Sequence, residues 1–385
     1  MKRLPAPSWK TAFVLLCLAI LVAYVAARDF GSMRRPDEFV PTEGFARKML
    51  SEYFPPLKGT DADTPVFIRE GKEPGGTVLI LGGTHPVESA GILAATVFLE
   101  NASVSRGRLI VIPNANAMAL THNSPQEGHP QRIALTLRDG SVRTFRYGSR
   151  ATNSTDEWPF PEIYVHPASG QKLSGKERSN LNRCYPGVPD GSMTERLAYA
   201  IVQLIRKEKV DLAFDLHEAS PEYPVVNAIV AHERSMELAA MVAMELEGLG
   251  IPIRLEPSPK NLRGLSHREW GDATDVLPIL METGNPSQGR LRGRTDERLV
   301  LTGEDKAYTK AAALGRLFIP YGGNQPIAYR VARHVTAVRI FVENLDMVRP
   351  GKGVTLEGIP GYEEILKQGV ESFLKPVPKK REVEI

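Results

Sequence analysis

Residues 77–113 read TVLILGGTHPVESAGILAATVFLENASVSRGRLIVIP, and the fold prediction starts from this stretch. Two short apolar runs, at 77–83 and 107–113, end in glycine or proline, and a segment with helical character lies between them at about 89–99. Short apolar runs bounded by turn residues are typical of buried strands. The stretch therefore predicts a strand, a helix and a second strand.

The same alternation continues toward the C terminus. Helices are predicted at about 194–207 and 233–249, and strands at 211–216, 225–231 and 276–281. Strands that alternate with helices indicate an α/β domain whose sheet is covered by helices on both faces. In such sheets the ligand site lies beyond the carboxyl ends of the strands.

The N terminus carries a basic leader followed by an uncharged apolar segment at 11–27. With 17 residues this segment is at the short limit for spanning a bilayer, and it ends in small residues of the kind that a signal peptidase accepts. Residues 1–27 are therefore predicted as a signal peptide or an N-terminal membrane anchor, and both alternatives stay open. Either one predicts an exported protein, periplasmic or extracellular, which contacts the membrane if the leader is not removed.

The rest of the chain is divided into three predicted parts. Residues 28–65 are polar and contain proline, which indicates a linker with one short helix at about 45–53. The folded body is predicted at 66–322. Residues 323–385 are predicted as a small C-terminal subdomain and a tail.

Two stretches depart from the strand–helix alternation. Between residues 116 and 180 the periodicity fades. A structureless loop of that length is unusual inside a compact domain, so we predict small hairpins around the mouth of the site. Beyond residue 322, a β-like run is predicted at 335–342 and a helix at 362–373.

The composition excludes one class of partner. The chain has 48 Lys and Arg residues against 45 Asp and Glu residues, and the excess of three lies in the leader. A neutral body gives no electrostatic reason to expect nucleic acid, because binding phosphates requires a clustered excess of positive charge. Outside the leader, Cys184 is the single cysteine, so an intramolecular disulfide is excluded.

Three residues have the spacing and the chemistry of a zinc site. His85 and Glu88 are three residues apart at the start of a predicted helix, on neighbouring positions of one turn. His217 directly follows the strand predicted at 211–216. Two histidines and one glutamate are a known ligand set for catalytic zinc, which keeps a fourth position open for water. Asp215 is either a partner for a ligand imidazole or an ordinary strand-end acid.

Two further segments offer catalytic and binding groups. Glu282 follows the strand at 276–281, where a carboxylate beside a zinc-bound water could act as the general base, although in isolation an acid that caps a turn is the commoner case. Arg183 offers a planar charged fork suited to a carboxylate, and Asn182 adds an amide donor beside it. A surface arginine in a polar loop is the alternative for Arg183.

Four motifs in this order and spacing resemble the zinc carboxypeptidase superfamily, in particular its succinylglutamate desuccinylase and aspartoacylase branch. They are GGTHPVE at 82–88, NLNRCYPG at 180–187, DLHEA at 215–219 and METGNPSQG at 281–289. The resemblance implies a mixed, twisted α/β sheet. It also implies roles for six residues. Zinc would be bound by His85, Glu88 and His217, water would be activated by Glu282, and a substrate carboxylate would be held by Asn182 and Arg183.

The chain departs from the family pattern at three points. The family usually has a further arginine that polarises the scissile carbonyl, and Arg178 is the nearest candidate, at a shorter spacing than the family has. The branch commonly has an acid two residues before the motif asparagine, where this chain has Asn180. Some members also use a tyrosine, for which Tyr308, Tyr321 and Tyr329 are unranked candidates.

Two functions of different classes remain. The first is an exported zinc-dependent hydrolase of an amide bond in an N-acyl amino acid or a peptide with a free carboxylate. Within it, export favours a metallocarboxypeptidase acting on cell-wall peptide, whereas the motifs favour a deacylase. The second is a non-catalytic binding protein on the same scaffold with a structural zinc. Structural zinc normally has four protein ligands, and the other histidines lie in polar segments without a ligand-like partner: His122, His129, His166, His232, His267 and His334.

Overall fold

The computed structural model describes residues 8–32, 35–319 and 324–378. The chain divides into two compact units, Met1–Asp37 and Glu38–Ile385. The first unit contains helix α1 at Trp9–Ser32. Its segment Trp9–Gly31 has a mean hydropathy of 2.3 and no buried residue, so by length and composition it could cross a membrane, as a signal sequence near an N terminus also could.

The second unit is built on a mixed β-sheet. The strands are β1 Ala46–Met49, β2 Pro65–Glu70, β3 Glu73–Leu81, β4 Ser103–Ile112, β5 Arg132–Thr136, β6 Val142–Arg146, β7 Ile163–Val165, β8 Lys172–Ser174, β9 Leu212–Ala219, β10 Ala228–Ala231, β11 Arg254–Pro257, β12 Leu277–Gly284 and β13 Thr355–Glu357. Nine of these described strands form one sheet in the order β1-β2-β4-β3-β9-β12-β10-β11, with β13 paired to β4. The central strands β4, β3, β9 and β12 are parallel, whereas β1, β2, β10 and β13 add antiparallel pairs. The predicted α/β class with a mixed sheet is therefore confirmed.

The helices of this unit cover both faces of the sheet. They are α2 Ser89–Asn101, α3 Ser154–Glu157, α4 Met193–Lys207, α5 Met236–Gly248, α6 Ser266–Ala273, α7 Glu297–Thr302, α8 Lys306–Ala313, α9 Ile327–Val348 and α10 Tyr362–Gln368. Val78 and Ile80 belong to the core under α2, α5 and α9. Leu79 and Leu81 belong to the core under α4. This alternation along β3 follows from the two-residue repeat of a strand, and it buries the apolar part of β3 between two helical layers.

Two predictions of local structure are wrong. Residues 335–342 lie inside α9 rather than in a strand, because this helix is buried on most sides and its apolar residues show no clear helical period. The short helix predicted at 45–53 is strand β1 followed by a single 3₁₀ turn at Leu50–Glu52. The helix at 362–373 is confirmed as α10 and a following 3₁₀ turn. The segment 116–180 contains the predicted small hairpins, β5–β6 and β7–β8.

The predicted linker and C-terminal subdomain lie largely within the second unit. Strand β1, from the predicted linker 28–65, pairs with β2 at the edge of the main sheet. Helix α9, from the predicted subdomain 323–385, contributes Val331, Val335 and Phe341 to the core that it shares with α2 and α5. Helix α9 thus packs directly behind the central strands that carry the site.

Candidate active site

Three neighbouring strands bring the predicted residues to one edge of the sheet. Strands β3, β9 and β12 are parallel, and Leu81 at the end of β3 is paired with Asp215. On β9 and β12, His217 and Glu282 are direct partners in the register. Because parallel strands end at the same edge, their terminal side chains face a common space.

The loop between β3 and α2 supplies the other two predicted ligands. Glu88 directly precedes α2, and its Oε2 accepts a hydrogen bond of 3.0 Å from the backbone N–H of Glu218. The start of α2 approaches β9 closely because Gly91 has no side chain: a Cβ atom there would collide with the carbonyl oxygen of Leu216. This close packing places His85 and Glu88 beside the end of β9.

The side chains of His85, Glu88 and His217 form one buried cluster. Oε1 of Glu88 lies 2.9 Å from Nδ1 of His85, and Oε2 of Glu88 lies 2.9 Å from Nδ1 of His217. One ligand atom from each residue lies within 4.8 Å of the others. The three predicted ligands are therefore brought together in a geometry that a single ion could occupy.

The tautomer of His85 is fixed by Asn180, whose side chain lies beside Nε2 of the His85 ring. The backbone N–H of Asn182 donates to Oδ1 of Asn180 at 3.1 Å, so this oxygen is the acceptor of the amide group. Nε2 of His85 lies 2.8 Å from the same oxygen and must be the donor. Burial, and then the nearby charge of Arg150, lowers the pKa of His85 to about 4. A neutral ring with its proton on Nε2 presents the lone pair of Nδ1 to Glu88.

The other imidazole has a carboxylate as its neighbour. Nε2 of His217 lies 2.9 Å from Oδ2 of Asp215, although the two atoms lack the alignment of a formed hydrogen bond. Oδ1 of Asp215 accepts a hydrogen bond of 2.7 Å from the hydroxyl of Thr84. Asp215 is thus held in place beside His217, in the position from which it can orient a ligand ring.

The cluster favours positive charge. Burial disfavours a charged His217, yet the carboxylates of Asp215 and Glu88 raise the pKa of His217 well above its ordinary value. Burial also works against an ionised Glu88, but the two imidazoles lower the pKa of Glu88 well below its ordinary value. A divalent cation would supply this charge in place of a proton. The nitrogen and oxygen ligands present fit zinc.

Glu282 stands beside the cluster, and one of its oxygens has no hydrogen-bond partner among the described residues. This oxygen, Oε2, is buried. Loss of hydration raises the pKa of Glu282, and Glu88 raises it further, while His217 opposes both effects. A buried carboxylate of raised pKa is well suited to accept a proton and return it near neutral pH.

The cluster opens into a pocket of about 880 Å³. Its polar wall includes His85, His217, Glu282, Asn182, Arg183, Arg150 and Arg290, and its apolar wall includes Val230, Leu262, Leu265 and Leu280. The pocket therefore brings the candidate base and metal ligands together with several guanidinium groups. The guanidinium groups suit negative charge on a substrate and the apolar wall suits an apolar frame, while Glu218 and Glu256 also line the pocket.

Asn182 and Arg183, the residues predicted to bind a substrate carboxylate, both line this pocket. Oδ1 of Asn182 accepts a hydrogen bond of 2.8 Å from the backbone N–H of Ser266, which leaves its Nδ2 as a donor for a ligand. Arg183 is held by a 2.6 Å hydrogen bond to the carbonyl oxygen of Asn182. Burial, and then the charge of Arg150, lowers the pKa of Arg183. An anion bound here would relieve the repulsion between the two guanidinium groups.

The arginine predicted to polarise the substrate carbonyl is not at the site. Arg178 donates to the carbonyl oxygens of Glu157 at 2.8 Å and Pro159 at 2.7 Å, outside the pocket. Instead, Arg150 reaches the candidate metal cluster. Its Nη1 lies 3.2 Å from Oε1 of Glu88, and its side chain is half-exposed. No motif marked Arg150, because it lies in the aperiodic segment 116–180.

Two of the three tyrosine candidates, Tyr308 and Tyr329, do not line the described pocket. Tyr308 donates a 2.5 Å hydrogen bond to Glu222 and packs behind the loop after β12, and Tyr329 contacts Arg333 on α9. Tyr321 lies outside the described residues. The tyrosine that lines the pocket is Tyr223, in the loop after β9, which the sequence did not single out.

Helix α9 supports the site from behind the sheet. Nε2 of His334 lies 3.1 Å from the carbonyl oxygen of His217. Arg330 forms a fully buried ion pair with Glu218, the residue after His217, at 2.5 Å. The C-terminal segment thus contacts the end of β9, which its own sequence does not indicate.

No family model and no curated protein matches this chain. Similar solved structures include an aspartoacylase family protein from Mesorhizobium loti, with 22% identity over 63% of this chain and 62% of that chain and a TM-score of 0.38. A succinylglutamate desuccinylase from Silicibacter shares 17% identity over 69% and 64%, with a TM-score of 0.37. The tripeptide-bound cell shape determinant Csd4 from Helicobacter pylori shares 12% identity over 78% and 58%, with a TM-score of 0.45.

The chain spans about three fifths of the length of these structures. The names of the first two are those of the branch that the motifs resemble. Since every TM-score here is below 0.5 and every identity is below 25%, function rests on the side chains of the site.

Proposed function

We propose that this protein is an exported zinc-dependent hydrolase, which cleaves an amide bond in an N-acyl amino acid or a peptide with a free carboxylate. One observation carries the proposal. The ligand atoms of His85, Glu88 and His217 converge. His85 and His217 line a pocket together with Glu282, whose Oε2 has no hydrogen-bond partner among the described residues. Ligands, base and substrate space thus occur together, as hydrolysis of an amide requires.

The contacts of these residues support a role for each of them. Zinc would be held by His85, Glu88 and His217, and when bound it supplies Lewis acidity that activates water and polarises an amide carbonyl. Glu282 accepts a proton from the attacking water and returns it to the leaving amine, so that an acid and an amine are released. Its buried Oε2 is available for this exchange because it makes no other hydrogen bond in the described part of the chain.

The two arginines would bind different oxygen-bearing groups of the substrate. Arg150, next to Glu88, would donate to the carbonyl oxygen as negative charge develops there. Arg183 and Asn182 would bind the free carboxylate, because a guanidinium fork and an amide donor match two carboxylate oxygens. The low pKa of Arg183 relative to its ordinary value is a reason for an anion to bind at this position.

Two variants of this function differ in the size of the substrate. A volume of about 880 Å³ lies in the upper part of the range of roughly 300–1,000 Å³ that is usual for ligand pockets. The space favours a peptide over a single N-acyl amino acid, and so a metallocarboxypeptidase is the second candidate. The fully exposed apolar helix α1 supports export, as a signal or as an anchor.

A non-catalytic binding protein is the competing proposal. Within residues 8–32, 35–319 and 324–378, the metal cluster has three protein ligands rather than the four of a closed structural site. The Oε2 of Glu282, which has no hydrogen-bond partner in the described part of the chain, also has no purpose in a structural zinc site. These two features favour catalysis.

The test is a hydrolysis screen of the full-length protein in detergent, together with its metal content. The protein is assayed on short peptides and N-acyl amino acids in three states: as purified, after its metal is removed by a chelator, and after zinc is added back. We expect amine release that disappears on chelation and is restored by zinc. A protein that binds zinc and cleaves none of a broad panel would support the binding protein instead.

A further inference from the structure

The two histidines of the metal cluster are supported by chemically different neighbours. His217 has the carboxylate of Asp215 beside Nε2, whereas His85 has the neutral amide of Asn180. A carboxylate beside one nitrogen of an imidazole makes the other nitrogen a stronger metal ligand. A neutral amide in the same place has a smaller effect. His85 would therefore be the weaker ligand unless a further group polarises Asn180.

Such a group is present one step farther from the metal. Nδ2 of Asn180 donates a 2.8 Å hydrogen bond to Oε2 of Glu177. The orientation of this amide is not ambiguous, because Oδ1 accepts from the backbone N–H of Asn182 at 3.1 Å. The negative charge of Glu177 thus pulls on the N–H end of the same amide whose oxygen accepts from Nε2 of His85.

Glu177 also lies near the guanidinium of Arg183. Its Oε2, the atom that binds Asn180, is 3.7 Å from Nε of Arg183. At this distance Arg183 attracts the carboxylate of Glu177 without forming a close ion pair. One oxygen of Glu177 therefore contacts Asn180, the neighbour of His85, and also lies near the arginine that would bind substrate.

We propose that Glu177 and Asn180 act as one positioning pair for His85, in which the carboxylate of Glu177 acts through the amide of Asn180. Hydrogen bonds in a chain strengthen one another in a buried environment, and Asn180 is buried. The proposal rests on the proposed function, since it takes His85 as a zinc ligand. It explains why the acid that the motif resemblance leads one to expect at position 180 is absent.

An acid at both positions would be incompatible. Aspartate at 180 would place a carboxylate oxygen about where Nδ2 now lies, 2.8 Å from Oε2 of Glu177. Two charged acceptors at that distance repel each other. Two arrangements are therefore possible: a carboxylate at position 177 with an amide at 180, or an amide at 177 with a carboxylate at 180. Carboxylates at both positions are not.

The test measures the zinc dissociation constant of the full-length protein in detergent, by competition with a chromophoric chelator. Glu177→Gln keeps an acceptor for Asn180 and removes only the charge, and it should weaken zinc binding by about 3–10-fold, less than the roughly 10–100-fold typical of a direct partner. Asn180→Leu removes the whole connection and should weaken binding by about 10–100-fold. Thermal unfolding of each metal-free variant establishes that it is folded.

A rescue and a matched control make this result specific. Glu177→Gln with Asn180→Asp exchanges the two groups, and it should bind zinc at least as tightly as the unaltered protein, because the amide introduced at position 177 can donate to the carboxylate introduced at position 180. Glu162→Gln is the control, since Glu162 is exposed and lies in the segment that precedes the pair. We expect it to leave zinc affinity unchanged.

The failure of this inference is distinguishable from the failure of the proposed function. Glu177→Gln and Glu162→Gln with equal zinc affinities would overturn the positioning role, even where zinc binds and substrate is cleaved. A double variant that binds zinc no better than Glu177→Gln alone would overturn it too. If Asn180→Leu does not fold, Glu177→Gln decides the question. A protein that binds no zinc at all would overturn both the inference and the proposed function.

Discussion

The two ends of the central strands differ in how their charges are balanced. At the amino ends, Glu208 contacts the hydroxyl of Tyr53, the guanidinium of Arg108 and the ammonium of Lys48. Asp211, just before β9, accepts a 2.9 Å hydrogen bond from the backbone N–H of Thr77 and lies 3.3 Å from Nζ of Lys352. Each of these two carboxylates has its counter-charge or its donor within the protein.

At the carboxyl ends of the same strands, one buried carboxylate oxygen of the described chain lacks such a partner. Glu88, Asp215 and Glu282 lie around two imidazoles, and Oε2 of Glu282 has no hydrogen-bond partner in the described residues. A buried charge without full compensation lowers the stability of the folded protein. Such charges are therefore found mainly where a ligand binds or a reaction occurs. We therefore propose that the amino end serves stability and the carboxyl end serves binding and chemistry, and variants can test this division.

The largest effect is expected at the carboxyl end, for Glu282→Gln. Removing the proton acceptor should lower turnover by about a thousandfold or more while zinc content stays the same. His217→Ala should lose the metal as well, because it removes a ligand. Turnover on a cleaved substrate and zinc content per protein are measured together. A rate for Glu282→Gln close to that of the unaltered protein would show that the base is another group.

A smaller effect is expected from Arg150→Ala, with Arg178→Ala as its matched control. Arg150 lies beside Glu88 in the pocket, and its loss should lower kcat/KM by about 100–1,000-fold with zinc retained. Arg178 binds two backbone carbonyls, so its loss should lower thermal stability and change kcat/KM only a few-fold. A larger loss of activity in Arg178→Ala would restore the role that the sequence assigned to it.

The two arginines also show which part of the site could not be predicted from the sequence. His217 and Glu282 could be placed because each ends a recognisable apolar strand, and parallel neighbours bring such ends together. Arg150 could not, since residues 116–180 have no periodicity and their path depends on tertiary contacts. One such contact is at Gly148, where a Cβ atom would collide with the carbonyl oxygen of Ala119.

Helix α9 was mispredicted in part for a related reason. Val335, Val338 and Val342 are β-branched, and nearly all their neighbours are buried as well, so the apolar pattern gives no helical face. The role of α9 depends on His334 and Arg330, which contact the backbone of His217 and the side chain of Glu218. Nothing in their own sequence segment indicates that β9 lies beside them.

A moderate effect is expected from Arg183→Ala, and it should depend on the substrate. Losing a charge-assisted hydrogen bond should raise KM by about 10–100-fold for substrates with a free carboxylate. Amidated versions of the same substrates should be affected much less. Arg183→Lys is the control for charge alone, because lysine lacks the planar fork. An equal loss on both substrate series would argue against carboxylate binding by Arg183.

The smallest effect is expected at the amino end, for Glu208→Gln. Burial disfavours the charged form of Glu208, but hydrogen bonds from Tyr53, Arg108 and Lys48 prevail and lower its pKa from 4.5 to about 2. Because the folded pKa is the lower one, this stabilisation is fully present above about pH 4.5 and is lost as the pH falls toward 2. We expect the variant to lose about 1–2 kcal/mol of unfolding free energy at pH 7, a value reduced for partial exposure.

The pH dependence separates this charge effect from a loss of shape. At about pH 3 the unaltered protein has already lost part of the stabilisation, so the difference between it and Glu208→Gln should shrink. Glu70→Gln is the matched control, because Glu70 pairs with the same Arg108 from a largely exposed position, and it should cost less than about 0.5 kcal/mol. Chemical denaturation at both pH values and kcat/KM at neutral pH are measured. Since the amino end holds no group of the site, activity and zinc content should not change in either variant, and a loss of either would remove the division between the two ends.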